Sequence, residues 1–125
     1  DYLYFSMKNA LIQQAKPYYD HFMIAAIEDE TLEKTMMAQV SQALLLIKGC
    51  IASFTIAKVK NNSNAVAVSA RSDGSYNVQK IMEKLNGGGH FSAAAVERAD
   101  VSVQQMKDMI LKCIEEEQNN ESNIA

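Results

Sequence analysis

Three consecutive glycines, Gly87, Gly88 and Gly89, stand directly before His90 and account for three of the chain's five glycines. One glycine after a helix is explained by helix termination, but three add conformational entropy that folding must overcome. Glycines let a backbone approach a ligand closely with its N–H groups turned toward a phosphate, and His90 could donate to that phosphate or stack on a base. The run therefore indicates an anion site, with a mobile surface turn as the alternative.

A second candidate is Arg71, in the sequence Ser69-Ala70-Arg71-Ser72 at the end of a predicted strand. Side chains at strand ends project beyond the sheet, where open α/β sheets tend to bind ligands. Arg71 is the only arginine in the first 97 residues, and the other cations there are lysines. Because a planar guanidinium can hold two phosphate oxygens at once, the residue type indicates anion recognition. The alternative is a surface salt bridge.

Arg71 and the loop Gly87–His90 are expected to share one anion, although about sixteen residues separate them. The predicted helix between them, residues 78–85, covers only about 12 Å. That length lets the intervening turn bring both ends to one edge of the sheet. We therefore expect the Arg71 guanidinium to face the glycines across a pocket wide enough for a phosphate.

Other chemistry is not supported by the residue types. Asp20 and His21 before Phe22 invite a metal-binding interpretation, but strand neighbours point to opposite faces and no cluster of His or carboxylates accompanies them. G-x-S-x-G, Walker and H-E-x-x-H motifs are absent, so we predict neither a metal site nor a catalytic residue. Cys50 and Cys113 lie among apolar neighbours without C-x-x-C spacing, which favours reduced core thiols over a disulfide or a zinc site.

The hydrophobic pattern predicts one α/β domain with a mixed sheet of about five strands and helices packed against it. The predicted strands cover residues 22–27, 51–59 and 65–70, the last two forming a hairpin around the polar turn 60–64. The predicted helices are residues 3–14, one capped by Asp29 or Thr31 and ending at Gly49, one capped by Asn77, a short one starting near His90, and one from about Ser102. The expected core includes Phe54, Ile56, Val66 and Val68.

Composition bounds the class of protein. With 125 residues, of which 48% are hydrophobic and 22% charged, the chain is long enough for one domain with a core. Twelve Lys and Arg against eleven Asp and Glu leave residues 1–114 with one positive charge, which argues against broad duplex binding. The first residue is Asp1 rather than Met, so we expect a piece of a larger protein. No apolar run reaches the roughly 18–20 residues of a membrane span, so no membrane contact by this piece is expected.

Four segments together resemble the DHHA1 domain of DHH-family phosphoesterases. They are Ser69–Ser72, Asn77–Gln79, Ile81–Glu83, and Gly87–His90 followed by Ala93-Ala94. The ending G-G-G-H resembles the GdpP-type branch, the cyclic-di-AMP phosphodiesterases, which often has a fourth glycine where this chain has Asn86. On this resemblance, residues 1–20 are a connecting helix from a preceding DHH domain and residues 21–118 the DHHA1 substrate-binding domain. The polar residues 119–125 are predicted to be a frayed tail.

The resemblance implies a division of labour. In the family, the preceding DHH domain holds two manganese ions that activate water for attack on a phosphodiester, while the DHHA1 domain closes over the substrate. Carried over by position, Arg71 and Gly87–His90 would hold phosphate, with Ser69, Ser72 and Asn77 as weaker neighbours. No cofactor is expected in the chain itself.

The implied parent protein is anchored to the membrane with this domain in the cytoplasm, and it linearises cyclic di-AMP to pApA. The implied partners are a cyclic dinucleotide or short oligonucleotide, the upstream DHH domain and a possible second copy in a homodimer. Two alternatives stay open. One is a nucleic-acid-binding module like the DHHA1 domain of alanyl-tRNA synthetases, which the near-neutral charge disfavours, and the other is part of a nano-RNase or RecJ-like exonuclease.

Overall fold

The computed structural model describes residues 1–124, with side chains as far as residue 121. One six-stranded sheet lies between two layers of helices. The strands are β1 (Lys16–Tyr18), β2 (Phe22–Leu32), β3 (Ala52–Val59), β4 (Asn62–Ser72), β5 (Gly88–His90) and β6 (Ala93–Arg98). The helices are α1 (Tyr2–Gln13), α2 (Lys34–Leu44), α3 (Val78–Lys84) and α4 (Val103–Ile124).

The sheet is mixed, with strand order β1-β2-β3-β4-β6-β5. β2 and β3 are parallel and are joined through α2, as a parallel pair requires, while every other neighbouring pair is antiparallel. The predicted α/β class and mixed sheet are confirmed, with six strands in place of about five. The two short edge strands were not predicted, because Pro17 in β1 and the glycines of β5 have low strand propensity.

Alternation along the strands divides the apolar residues between two cores. On one face, β3 and β4 pack against α3 and α4, and this core contains the four predicted residues, Phe54, Ile56, Val66 and Val68. On the other face, the small residues Ala57 and Ala67 pack against α1 and α2. β3 and β4 therefore contribute to both cores, because successive residues along each strand point to opposite faces of the sheet.

The predicted starts of the helices at Asn77 and Ser102 are confirmed by their hydrogen bonds. The Asn77 side chain accepts from the Lys80 N–H (3.2 Å) at the start of α3. Ser102 and Gln105 cap each other's backbone N–H groups at the start of α4. Gly49 has the expected left-handed conformation, with φ +89°, but α2 ends at Leu44 and not at Gly49 as predicted.

The predicted start of α2 is wrong. Neither Asp29 nor Thr31 caps it, because β2 continues past a bulge and pairs Thr31 and Leu32 with the end of β3. The helix begins instead after Glu33, whose side chain makes no capping hydrogen bond. Pairing with a strand distant in sequence has outweighed the local capping preference.

The C-terminal end also differs from its prediction. Residues 119–124, expected to be frayed, continue α4 as far as Ile124, and residue 125 lies outside the described residues. Three of these six residues are asparagines, which have low intrinsic helix propensity, so the helix continues here against the local preference.

We expect Ile56→Ala to lower the free energy of unfolding by about 2–5 kcal/mol, because Ile56 is completely buried and its loss leaves a cavity. Urea denaturation measures the change. Leu46→Ala is the matched control, since Leu46 is 88% exposed and should change stability by no more than about 0.5 kcal/mol. A loss below about 1 kcal/mol for Ile56→Ala would contradict the assigned face of β3.

Candidate functional site

A groove of about 480 Å³ opens on the face of the sheet that carries α2. It forms because α2 packs on β3 and β4 and leaves most of β6 and β5 open. Met37 and Ala38 of α2 make one wall. Ala93 and Ala95 of β6, which face the same side as Ser69 and Arg71 of β4, line the floor with methyl groups. Small side chains therefore leave this part of the sheet accessible.

Arg71 lines this groove as an unpaired cation. Its Nη1 donates to the Ala70 carbonyl (2.9 Å), which leaves most of the guanidinium donors available. No carboxylate among the described side chains lies within ion-pair distance of it. Burial lowers the pKa of the Arg71 guanidinium, but an arginine keeps its charge at neutral pH. A partly desolvated cation without a counter-ion suits a bound anion.

The lack of a side chain matters for one reason at Gly87 and Gly89 and for another at Gly88. A Cβ at Gly87 would overlap the Ala95 carbonyl oxygen, and a Cβ at Gly89 would lie 2.6 Å from the Ala93 carbonyl oxygen. These two glycines therefore allow β5 to pair closely with β6. A Cβ at Gly88 would meet no heavy atom within 4 Å, and Gly88 pairs with Ala95 on the groove side. Only the missing side chain of Gly88 keeps space open for a ligand.

The prediction of a helix that starts near His90 is wrong, because residues 93–98 form β6. Their burial alternates, with Ala94 and Val96 buried against the α3 side and Ala95 exposed in the groove. No helix N-terminus therefore adds N–H groups to the site. His90 ends the edge strand β5, is exposed and does not line the groove.

The structure brings some predicted site residues together and separates others. Ser69, Arg71 and Gly87–Gly89 line one groove, as the shared-anion hypothesis requires. Ser72 is buried on the opposite face of β4, where its Oγ accepts from the Gly74 N–H (3.2 Å). Asn77 caps α3 and does not line the groove. Ligand binding by these residues stays a prediction.

Asn86 fixes the approach to the glycines. It has φ +73°, the left-handed position that follows a helix and that favours glycine or asparagine. The Gly87 N–H donates to the Met82 carbonyl (2.8 Å) and the Asn86 N–H to that of Glu83 (3.1 Å). These two bonds form a Schellman motif, so Asn86 supports an ordered turn where the resembling branch often has glycine.

Two charged residues of the groove were missed from the sequence. Lys34, the first residue of α2, forms an ion pair with Glu97 of β6, and both line the groove. Glu97 lies on the same face of β6 as Ala93 and Ala95, because the three residues occupy every second position along the strand. Recognising that alternation as a strand would have placed Glu97 beside the alanines that face the groove.

Asp20, His21 and the two cysteines have structural explanations. The His21 Nδ1–H donates to the Gly49 carbonyl (3.1 Å), and Asp20 lies in a turn with φ +70°. Within residues 1–124, no group of three or more His, Cys, Asp or Glu side chains could hold a metal ion. Cys50 and Cys113 are free and buried, as predicted, and burial raises the pKa of both thiols.

The described helices include none that is both long and apolar enough to cross a bilayer.

Fold and groove define a small α/β domain that presents an unpaired, partly buried arginine beside a close-packed glycine strand. Residues 20–119 match the family described as the DHHA1 domain, and the chain belongs to this family. Cyclic-di-AMP phosphodiesterase PdeA of Listeria monocytogenes serotype 1/2a (strain 10403S) is 36% identical over 112 residues, which are 89% of this chain and 17% of that protein. Cyclic-di-AMP phosphodiesterase GdpP of Geobacillus thermodenitrificans (strain NG80-2) is 40% identical over 87 residues, which are 70% of this chain and 13% of that protein.

A solved structure agrees on the fold. An exopolyphosphatase-related protein from Bacteroides fragilis superposes with a TM-score of 0.76 at 18% identity, over 90% of this chain and 34% of that chain. The chain is thus a DHHA1 domain of the kind found in GdpP and PdeA phosphodiesterases. It spans less than one fifth of the length of these two relatives.

Asn86→Ala is expected to lower the free energy of unfolding by about 1 kcal/mol, because alanine is strained at a positive φ. Asn86→Gly should preserve or raise stability, since glycine has no such strain. Urea denaturation of both variants tests this. Asn9→Ala, at an exposed position within α1, is the control and should not destabilise. Equal behaviour of Asn86→Ala and Asn9→Ala would contradict the left-handed turn.

Proposed function

We propose that this domain binds a phosphate of the substrate for a phosphodiesterase that hydrolyses cyclic di-AMP to pApA. The observation that carries the proposal is the position of Arg71, an unpaired cation in the same groove as Gly88. The 36–40% identity to two cyclic-di-AMP phosphodiesterases supports the choice of substrate.

The groove suits one phosphate group. The Arg71 guanidinium can donate two parallel hydrogen bonds to phosphate oxygens, a geometry that lysine does not provide. Ser69 lies two residues earlier on the same face of β4, and the absent side chain of Gly88 leaves room for the ligand to reach β5. Because Arg71 is partly desolvated, its attraction to a phosphate is screened less than at an exposed site.

The metal half of the reaction belongs, on this proposal, to a preceding DHH domain that holds manganese. The described residues offer no ligand set for such an ion, so they do not fit it. The role of this chain is therefore to hold and orient the substrate. We further propose that the parent protein is anchored to the membrane with this domain on the cytoplasmic side.

Charge argues for a small ligand over a long nucleic acid. Residues 1–114 carry one net positive charge. Of the two cations that line the groove, Lys34 is paired with Glu97 and Arg71 is free. Duplex binding needs a row of cations along the phosphates, whereas one free arginine suits one phosphate.

In the full-length protein, Arg71→Lys is expected to weaken cyclic di-AMP binding by about tenfold, because lysine loses the two-pronged contact. Gly88→Val should weaken binding at least as much, since its side chain would enter the groove. Isothermal titration in metal-free buffer measures both.

Arg98→Lys is the matched control for Arg71→Lys, since Arg98 pairs with Asp100 and does not line the groove. Its affinity should be unchanged. Urea denaturation shows whether Gly88→Val stays folded, as the free space around its Cβ predicts. Unchanged affinity in both groove variants would refute the shared phosphate site.

The 125-residue chain alone is expected to leave cyclic di-AMP intact in the presence of manganese, because the described residues contain no metal-ligand cluster. Chromatography of the nucleotides after incubation measures any pApA formed. Turnover that copurifies with the domain and disappears in His90→Ala would contradict the proposed division of labour.

A further inference from the structure

The groove has a second polar end, formed by Lys34 and Glu97. Lys34 begins α2, which forms a wall of the groove, and Glu97 lies on β6, which forms its floor, so their ion pair connects the wall to the floor. The Lys34 side chain is 64% exposed and that of Glu97 35% exposed. Both charged groups are therefore accessible to a ligand that occupies the groove.

The strand register gives the distance between the two ends. Arg71 lies opposite Ala93, and Glu97 lies opposite Ala67, so four residues separate the ends along each strand. At about 3.3 Å per residue this is roughly 13 Å. Between them the floor carries the methyl group of Ala95 and the hydroxyl of Ser69. A ligand that lies along the strands would thus meet a cation at one end and an ion pair at the other.

The ion pair contributes little to the fold. Exposed ion pairs add little stability, because solvent screens them and ordering two long side chains costs entropy. The Glu97 carboxylate has about four acceptor positions and Lys34 has three donors, so their mutual contact leaves hydrogen-bonding capacity for another partner. A ligand can use this capacity without disrupting the packing.

One acceptor beside one donor is complementary to the edge of an amino-bearing base. Adenine presents an exocyclic N6–H₂ donor next to the ring acceptor N7. We propose that Glu97 and Lys34 recognise the base of the nucleotide whose phosphate Arg71 holds. Glu97 accepts from the exocyclic amino group, and Lys34 donates to the neighbouring ring nitrogen. This inference rests on the proposed function and assigns the base end of the same groove.

The test compares cyclic di-AMP with its hypoxanthine counterpart, cyclic di-IMP, in which an oxo group replaces each amino group. Titrations use the full-length protein in metal-free buffer. The wild type should bind the adenine ligand about tenfold more tightly, because a carboxylate opposite an oxo group is two acceptors without a donor. Glu97→Met keeps the chain length and removes the acceptor, so the ratio of the two affinities should fall to about one.

The control is Glu30→Met, which removes the same charge from an exposed residue of β2, with β3 and β4 between it and β6. It should keep the wild-type ratio. A wild type without preference, or an unchanged ratio in Glu97→Met, would overturn the assignment of Glu97. If Arg71→Lys weakens both ligands equally in that case, the proposed phosphate site stands and only the base assignment fails. If the wild type binds neither ligand, both proposals fail.

Discussion

A buried hydroxyl network fixes α2 on the sheet, and the groove depends on it. Ser41 Oγ of α2 donates to the Ser69 carbonyl on β4 (2.7 Å), so Thr55 of β3 must donate to Ser41 Oγ (2.7 Å). Ser53 of β3 donates to the Ser41 carbonyl. All three hydroxyls are completely buried, and leaving such a group unpaired costs about 1–3 kcal/mol. α2 is therefore held in one position over β3 and β4, and its free edge becomes the wall above Ser69.

The opposite side of the groove is formed by β5, whose position depends on glycines that lack a Cβ atom. β5 has three residues and lies at the edge of the sheet, where a short strand has little to stabilise it. It stays against β6 because Gly87 and Gly89 carry no Cβ between the two backbones. The Schellman turn at Asn86 delivers the chain to this strand in a single direction. Hydroxyl bonds on one side and missing side chains on the other together set the width of the groove.

Sequence reasoning succeeded where local pattern and tertiary contact agree. Ile56 and Val68 lie in β-branched runs that are also buried in the sheet, so their strands and core were predicted. Arg71 and Gly87–Gly89 line one groove, as expected from the short helix between them, while their binding of an anion stays a prediction. The prediction for residues 93–98 was wrong because alanine favours helix locally, whereas pairing with β4 makes the segment a strand. Because that strand was not predicted, Glu97 and its partner Lys34 were not recognised as groove residues.

The charges within the groove follow from this architecture. β4 and β6 are neighbours, so a carboxylate on β6 could have neutralised Arg71 had it stood opposite, but Ala93 occupies that position. Glu97 lies four residues further along β6 and pairs with Lys34 instead. The groove thus keeps a free cation and an ion pair apart, with small side chains between them. Separated in this way, the two ends can contact different chemical groups of one ligand, because neither has its hydrogen-bonding capacity consumed by the other.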